Sequence, residues 1–161
     1  MVVLLVAAVL GLACGAPRAT AERNPPTSPR PPGADALEQE VHELVNRHRR
    51  ARNLAALTLD PRISREARLH SVAMAAGTTP FGHEGFDERV KALRLAMPCR
   101  RTAENVASSQ GYHDAAVEAV RGWLGSAGHR ENIEGPYDRT GVGVARSATG
   151  EMFFTQIFVG R

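Results

Sequence analysis

The chain has 161 residues, with 20 Lys and Arg against 17 Asp and Glu and a formal net charge of +3. That length suits one domain with a substantial core and is too short for two comfortable ones. No basic run is interleaved with aromatic residues, which argues against a nucleic-acid partner. The densest cations, Arg47-His-Arg-Arg-Ala-Arg52, fall at a predicted helix C-terminus, where they complement the helix dipole.

The apolar run Val2 to Ala13 is shorter than the roughly 20 residues that cross a bilayer and reads as the core of a secretory signal over residues 1–21. Ala19-Thr20-Ala21 supplies small residues where a signal peptidase needs them. Cys14 offers a second reading, a lipidated cysteine that would anchor the protein at the cell surface. Against that, Gly11 stands where a lipobox usually has leucine, and the run lacks a preceding Lys or Arg. Secretion is expected, with lipid anchoring as the alternative. Cleavage after Ala21 would leave Cys99 as the sole cysteine, a buried or half-buried thiol, and the fold would have to rest on its core. Six of the ten prolines lie between Pro17 and Asp35. Residues 22–35 therefore read as an extended tether, and 36–161 as the folded domain.

A first helix is predicted from Asp35, with Glu38 completing a capping box and Leu37, Val41, Leu44, Val45 and His48 forming its buried stripe. Asn53 suits the left-handed residue that ends it. Asp60-Pro61 opens a second helix, in which Ile63, Ala67, His70 and Met74 share a face that Leu69, Ala73 and Ala76 widen. His48 and His70 read as packed histidines. His83 differs, because it sits in the glycine-flanked loop Phe81-Gly-His83-Glu-Gly85, where packing does not explain it. A short helix follows over Phe86 to Leu95, with Phe86, Val90 and Leu93 inward. Ala103-Glu104-Asn105-Val106-Ala107 then reads as an extended segment entering the core. A buried glutamate there is costly unless paired or ligating.

His113-Asp114 opens a helix with Ala116, Val117, Val120, Trp123 and Leu124 on its apolar face. It runs into Trp123-Leu-Gly-Ser-Ala-Gly-His129-Arg-Glu-Asn-Ile133, which is expected to break at Gly125 and Gly128 and to present Ser126, His129 and Glu131. Gly141-Val-Gly-Val-Ala145 and Glu151 to Val159 read as two strands joined by a Ser147-Ala-Thr-Gly150 turn. The glycines at 141 and 143 do not make a dinucleotide fingerprint: no glycine follows at 146, and a strand follows rather than a helix. Helices first and a hairpin last predict an α+β layered domain with helices flanking a small sheet.

From Leu37 to Gly160 the chain resembles bacterial members of the CAP superfamily, which joins cysteine-rich secretory proteins, antigen 5 and pathogenesis-related proteins. The resemblance rests on Val45-Asn46-x-x-Arg49, Leu54-x-x-Leu57-x-x-Asp60, His70-Ser71-x-x-Met74-Ala75, Gly82-His83-x-Gly85, Glu104-Asn105-Val106-Ala107, Trp123-Leu-x-Ser126-x-Gly-His129-Arg-x-Asn-Ile133 and the terminal hairpin ending in Thr155-Gln156-Ile157-Phe158. It implies a three-layer α-β-α sandwich with a small, mainly antiparallel sheet, and a cleft lined by two histidines and acidic residues. Carried over by motif, the histidines are His83 and His129, and Glu104 is one acid. The family's second glutamate has Ser126 as its nearest counterpart here, so the constellation is incomplete. Glu131 lies outside the aligned position.

Two imidazoles and a carboxylate can hold a divalent cation such as zinc, with water completing the shell. His83 and His129, with Glu104 as a third candidate, are therefore the expected metal ligands, and a hydrogen-bonded cluster that only specifies packing is the alternative. Members of this superfamily are secreted and several bind sterols or other lipids, so a lipid, sterol-like or cell-envelope ligand is expected in a non-catalytic cleft. The competing reading is a hydrolase acting on peptides or wall polymers. It would be metal-dependent or would use Ser126 as nucleophile, His129 as base and Glu104 as orienting acid.

Overall fold

The computed structural model describes residues 33–111 and 113–161. The proposed signal, Cys14 and most of the proline-rich stretch lie outside these residues. Five helices and four strands follow in the order α1 (Ala34–Ala51), β1 (Thr58–Leu59), α2 (Pro61–Ala75), α3 (Phe86–Ala96), β2 (Arg101–Ser109), α4 (Ala115–Gly125), α5 (Ala127–Glu134), β3 (Arg139–Arg146) and β4 (Met152–Gly160). The sheet order is β1-β3-β4-β2, antiparallel except for the short parallel pair β1–β3.

The sheet separates two apolar layers. Residues 154 and 158 of β4 and 142 and 144 of β3 pack with Val41 and Val45 of α1, with Ala116, Val120 and Trp123 of α4, and with Ile133 of α5. The alternate residues Ile157 and Val159 turn to the other side, against Ile63 and Ala67 of α2 and Leu93 of α3. This period-2 division of β4, buried almost throughout, is what a strand covered on both faces requires. The result is the expected α-β-α sandwich.

Several local expectations hold. Asn53 has φ 56° just past α1. The Asp60 carboxylate accepts from Arg62 N at the start of α2, with Pro61 at the first helical position. The helix beginning at Phe86 buries Val90 and Leu93, and the Gly150 turn closes the hairpin with Gly150 N donating to Ser147 O.

Other expectations are corrected. The N-cap of α1 is Gly33 at φ 88°, and Asp35 lies inside the first turn, so the helix begins within the stretch read as tether. Glu38 is buried and reaches across the domain, accepting a two-pronged contact from Arg68 of α2 and a bond from Val144 N. Together with Ser64 Oγ, which accepts from Val142 N, it closes the edge of β3 beyond the two-residue β1, an edge that would otherwise template another strand. On α2, Leu69 is 54% exposed and Ala76 also faces outward, while Ser64 and Ser71 take the inward places. Val117 of α4 is 38% exposed, its inward neighbours being Ala115, Ala116 and Ala119.

Gly141 and Gly143 have a steric role. A Cβ at Gly141 would overlap Ser64 N and Ile63 C, and one at Gly143 would overlap Arg68 N and Ala67 C. The backbone of α2 rests directly on β3, and only glycine permits it. Arg49 also does more than serve the dipole of its own helix. Buried to 2% exposure, it donates to Ala55 O (2.8 Å), Ile133 O (2.6 Å), Gly135 O (2.9 Å) and Tyr137 O (3.3 Å). It thereby supplies cationic donors at the C-terminal end of α5.

Candidate functional site

The site forms at the open edge of β2, the outer strand of the sheet, where the two helical layers meet. Glu104 lies opposite Ile157 of β4, so its side chain projects toward the α2–α3 layer, where it is 1% exposed. There it meets Arg89 of α3. Arg89 Nε donates to Glu104 Oε2 at 2.9 Å, and Nη2 donates to Oε1 at 2.9 Å. This two-pronged arrangement is the strong form of the pair. The remaining guanidinium donors hold the loop: Nη1 bonds Glu84 O at 2.9 Å, and Nη2 approaches His83 O at 3.5 Å.

His83 sits in that loop between Gly82 (φ 146°) and Gly85 (φ 75°), the N-cap of α3. The positive φ angles are why glycines flank it. Its Nδ1 donates to Glu104 Oε1 at 3.0 Å. Both carboxylate oxygens accept from Arg89, so the imidazole must contribute the N–H, and in the neutral ring Nε2 carries the lone pair. The side chain is 53% exposed, so the ring is open to solvent. A second tie on the loop comes from His70, buried on α2, whose Nε2 bonds Gly82 O at 2.8 Å. Burial is the main cause that holds the His70 pKa below the ordinary histidine value.

His129 enters from the opposite layer, in the first turn of α5. Its ring centroid lies 6.4 Å from that of His83, tilted by 46°. Three side chains fix α5 and α4 against the edge of β2. Asn105, fully buried, donates to His129 O at 3.0 Å. Asn132 donates to Asn105 Oδ1 at 2.9 Å and to Glu104 O at 3.3 Å, and Trp123 Nε1 donates to Val106 O at 3.0 Å. Burial, and then the neighbouring His83, push the His129 pKa down, so the neutral, lone-pair-bearing ring is favoured.

Two residues before His83 the same loop carries an apolar ring. Phe81 is 57% exposed, and its ring lies 6.3 Å from Phe153, beside a small cluster of Met74, Val106 and Phe153.

The predicted site residues are thus brought together unequally. His83, Glu104 and His129 converge. Ser126 is a half-exposed, extended residue between α4 and α5, with no side-chain cap bond. Gly128 lies inside α5, so the expected break occurs once, at Gly125–Ser126. The triad reading does not assemble, because the carboxylate that would orient His129 is bonded to His83 instead. Sequence reasoning missed Arg89, although a buried Glu104 required a partner and Arg89 is a cation near the start of the helix that follows His83.

Tested against a divalent cation, the donor set divides. Two imidazoles present or favour lone-pair nitrogens, which suits zinc. Glu104 has both oxygens engaged by Arg89 and one also by His83, so it orients the His83 ring and is not positioned to bind a cation itself. Among the described residues no three His, Cys, Asp or Glu side chains converge as a metal-holding group.

Comparison with known proteins places this geometry in context. The family described as "CAP: Cysteine-rich secretory protein family" matches residues 42–158. The chain is 33% identical over 150 residues to the protein YkwD of Bacillus subtilis strain 168, an alignment covering 89% of this chain and 54% of that one. An extracellular protein of Bacillus anthracis Ames that contains an SCP domain superposes with a TM-score of 0.66 at 27% identity, over 84% of this chain and 45% of its own. An outer surface protein of Borrelia burgdorferi superposes with a TM-score of 0.67 at 18% identity, over 80% of this chain and 95% of its own, a likeness of fold. The chain thus spans about half the length of the two Bacillus proteins it matches.

Proposed function

The chain belongs to the cysteine-rich secretory protein (CAP) family, and we propose that it is an extracellular, non-catalytic binding module whose cleft takes a divalent cation on His83 and His129. Extracellular placement is supported by the Bacillus anthracis relative, which is described as extracellular, and by the apolar run at Val2 to Ala13. The observation that carries the ligand reading is the pairing of two imidazoles, 6.4 Å apart between ring centroids, with the half-exposed His83 held through Nδ1 by Glu104 so that Nε2 carries the lone pair of its neutral ring. Burial of His129 favours its metal-competent neutral form. With only two protein donors, water would complete the shell and affinity would be modest. Calorimetric titration with zinc should give one weak site in the wild type and none in the His83→Ala/His129→Ala double variant; equal binding by the two proteins would sink the reading.

A second component of the ligand is favoured by the exposed ring of Phe81, which lies in the same loop two residues before His83. An apolar ring on the loop that carries an imidazole suits an amphiphile such as a lipid, a sterol-like molecule or another cell-envelope component. Native mass spectrometry of protein recovered from its secretion route should show a co-purified mass that Phe81→Ser diminishes. A hydrolase reading has weaker support, since the Glu104–His83 bond leaves Ser126 and His129 without an orienting acid. Generic peptide and ester substrates should not be turned over.

A further inference from the structure

We propose that the chain carries a second ligand site, where β2 begins and β4 ends, that takes a sugar bearing a carboxylate or phosphate group. The site is independent of the cation reading of the cleft, and its lining includes none of His83, Glu104 or His129. Its basis is an open concavity of about 550 Å³ between the segment that leads into β2 and the one that leads into β3, a size that suits a small-molecule site. Pro98, Pro136 and the ring of Tyr137 wall it, Arg100 and the Arg161–Asp138 pair edge it, and Gly160 completes the lining.

The half-buried tyrosine ring is held from three sides. A Cβ at Gly135 would fall 2.3 Å from Tyr137 Cε2, so the backbone passes the ring only because that residue is glycine. A Cβ at Gly160 would lie 3.7 Å from Tyr137 Cδ1 and 3.0 Å from Pro136 O, so the end of β4 fits closely against the same ring. Phe158 supports it as well, with 5.6 Å between ring centroids, and Arg49 donates to the Tyr137 carbonyl. A fixed aromatic face beside two proline rings is a platform for the C–H-rich face of a ligand, and it needs little ordering on binding.

Cationic charge is left over around this platform. Asp60 is matched by Arg62 and Arg139. Both Asp138 oxygens accept from Arg161, from Nε at 2.5 Å and from the backbone N at 3.1 Å. Arg100 and Arg101 are exposed, and among the described residues neither guanidinium has a carboxylate partner. Arg101 stands across from Gly160, near enough for its charge to oppose the rise that burial gives the Tyr137 pKa. Unmatched guanidiniums beside a concavity draw an oxyanion to it, and each can hold a carboxylate or phosphate through two N–H donors. The shape then selects what carries the anion. An alkyl chain gains from enclosure, which an open concavity does not give. The large apolar side chains exposed among the described residues all lie outside its lining, so it has nothing to insert into a bilayer. A hydroxylated ring can lay one face on Tyr137 and keep the other hydrated.

The test is an NMR titration of the isotope-labelled protein with glucuronate, glucose 6-phosphate, glucose and inorganic phosphate at one ionic strength. At least one of the two anionic sugars should bind fivefold or more tightly than both glucose and inorganic phosphate, and which one does so tells carboxylate from phosphate. The amide signals of Asp138 and Gly160 should move on binding, and the ring signals of His83 and His129 should not. Arg100→Gln/Arg101→Gln, a pair of exposed replacements, should weaken that binding at least fivefold without lowering the melting midpoint. Tyr137→Leu keeps bulk but removes the flat face, and should weaken sugar binding while leaving the affinity for inorganic phosphate as it was. Should that variant fail to fold, the arginine variant and the glucose comparison still decide. Phosphate binding as tight as that of glucose 6-phosphate, with no preference for glucuronate over glucose, would mean an adventitious ion only and overturn the inference. Absence of binding, binding that survives in the double arginine variant, or shifts centred on the two histidines would overturn it as well.

Discussion

Replacing Arg49 by methionine should be among the most destabilising changes in the chain that leave the apolar core intact. The side chain is 2% exposed and donates to three carbonyls at 2.6–2.9 Å, with a fourth at 3.3 Å. Those carbonyls belong to the loop after α1, the last turn of α5 and the connection into β3. The guanidinium therefore does for three segments what their backbones cannot do for one another. Its own desolvation lowers its pKa and offsets part of the gain. Methionine replaces most of the buried stem, so the loss falls on the polar contacts. Each buried carbonyl left unpaired costs about 1–3 kcal/mol. Three such groups, counted non-additively because water can enter the vacated space, give an expected loss of about 3–5 kcal/mol, the range for breaking a buried charged contact.

Urea unfolding followed by the fluorescence of Trp123, the one tryptophan in the sequence and 1% exposed, reads this directly. For an m-value of about 1.5 kcal/mol/M the midpoint should fall by roughly 2–3 M. Arg49→Lys, a single ammonium on a flexible stem, should recover less than half of the loss. A loss below about 1 kcal/mol with an unchanged m-value would refute the argument, since the four bonds would then be replaceable by water.

Gly143→Ala should cost more than about 3 kcal/mol, at or beyond the usual range for overpacking. The added methyl meets the backbone of α2 at Arg68 and Ala67, which cannot rotate away as a side chain would; a melting midpoint within a few degrees of wild type would contradict this. Asn105→Ala removes the donor to His129 O and the acceptor for Asn132. It should destabilise by about 2–3 kcal/mol and broaden the NMR signals of His129 more than those of His83, a difference that uniform broadening would deny.

His70 is predicted to titrate below 6.5, with burial as the main cause. Since its folded pKa is lowered, the unfolded chain takes up the proton first as pH falls. Stability is then full above about pH 6.5 and declines until the pH passes below the folded pKa. Urea midpoints at pH 7.5 and 5.5 should diverge more for wild type than for His70→Gln, whose amide can still donate to Gly82 O. An NMR-measured His70 pKa at or above 6.5 would dispose of the prediction.

What could be read in the sequence was whatever local chemistry decides. Asp60-Pro61 as a helix start and Asn53 as a helix stop depend on a few adjacent atoms, and both were legible. The two terminal strands and the turn between them were legible from their β-rich composition and the Ser147 to Gly150 turn residues. Legibility failed where an interaction spans the chain. Glu38 satisfies the pattern of a capping box in sequence, yet its carboxylate is used by Arg68, thirty residues away, and by the edge of β3. Leu69 and Val117 fit apolar stripes but face outward, because small residues let neighbouring backbones approach and take the buried places. Gly141 and Gly143 could be denied a nucleotide role from spacing alone, but their contact with α2 needed the fold. Within the site, His83, Glu104 and His129 each stood out locally, but only motif resemblance grouped them, since their separations along the chain carry no signal of proximity.

The placement of the cleft follows from how the sheet ends at β2. An edge strand presents backbone groups that must be covered or satisfied, and here Trp123 donates to Val106 O while Asn132 donates to Glu104 O. These contacts draw α4 and α5 against the edge. Because Asn105 also holds His129 O, closure of the edge carries one histidine into position. On the other face, the same strand projects Glu104 to Arg89 and His83. Alternation along β2 therefore assigns Asn105 to one layer and Glu104 to the other, and the two imidazoles meet across the strand that both residues share. A substitution that shifts β2 by one residue would exchange these assignments and separate the histidines, whichever ligand the cleft takes.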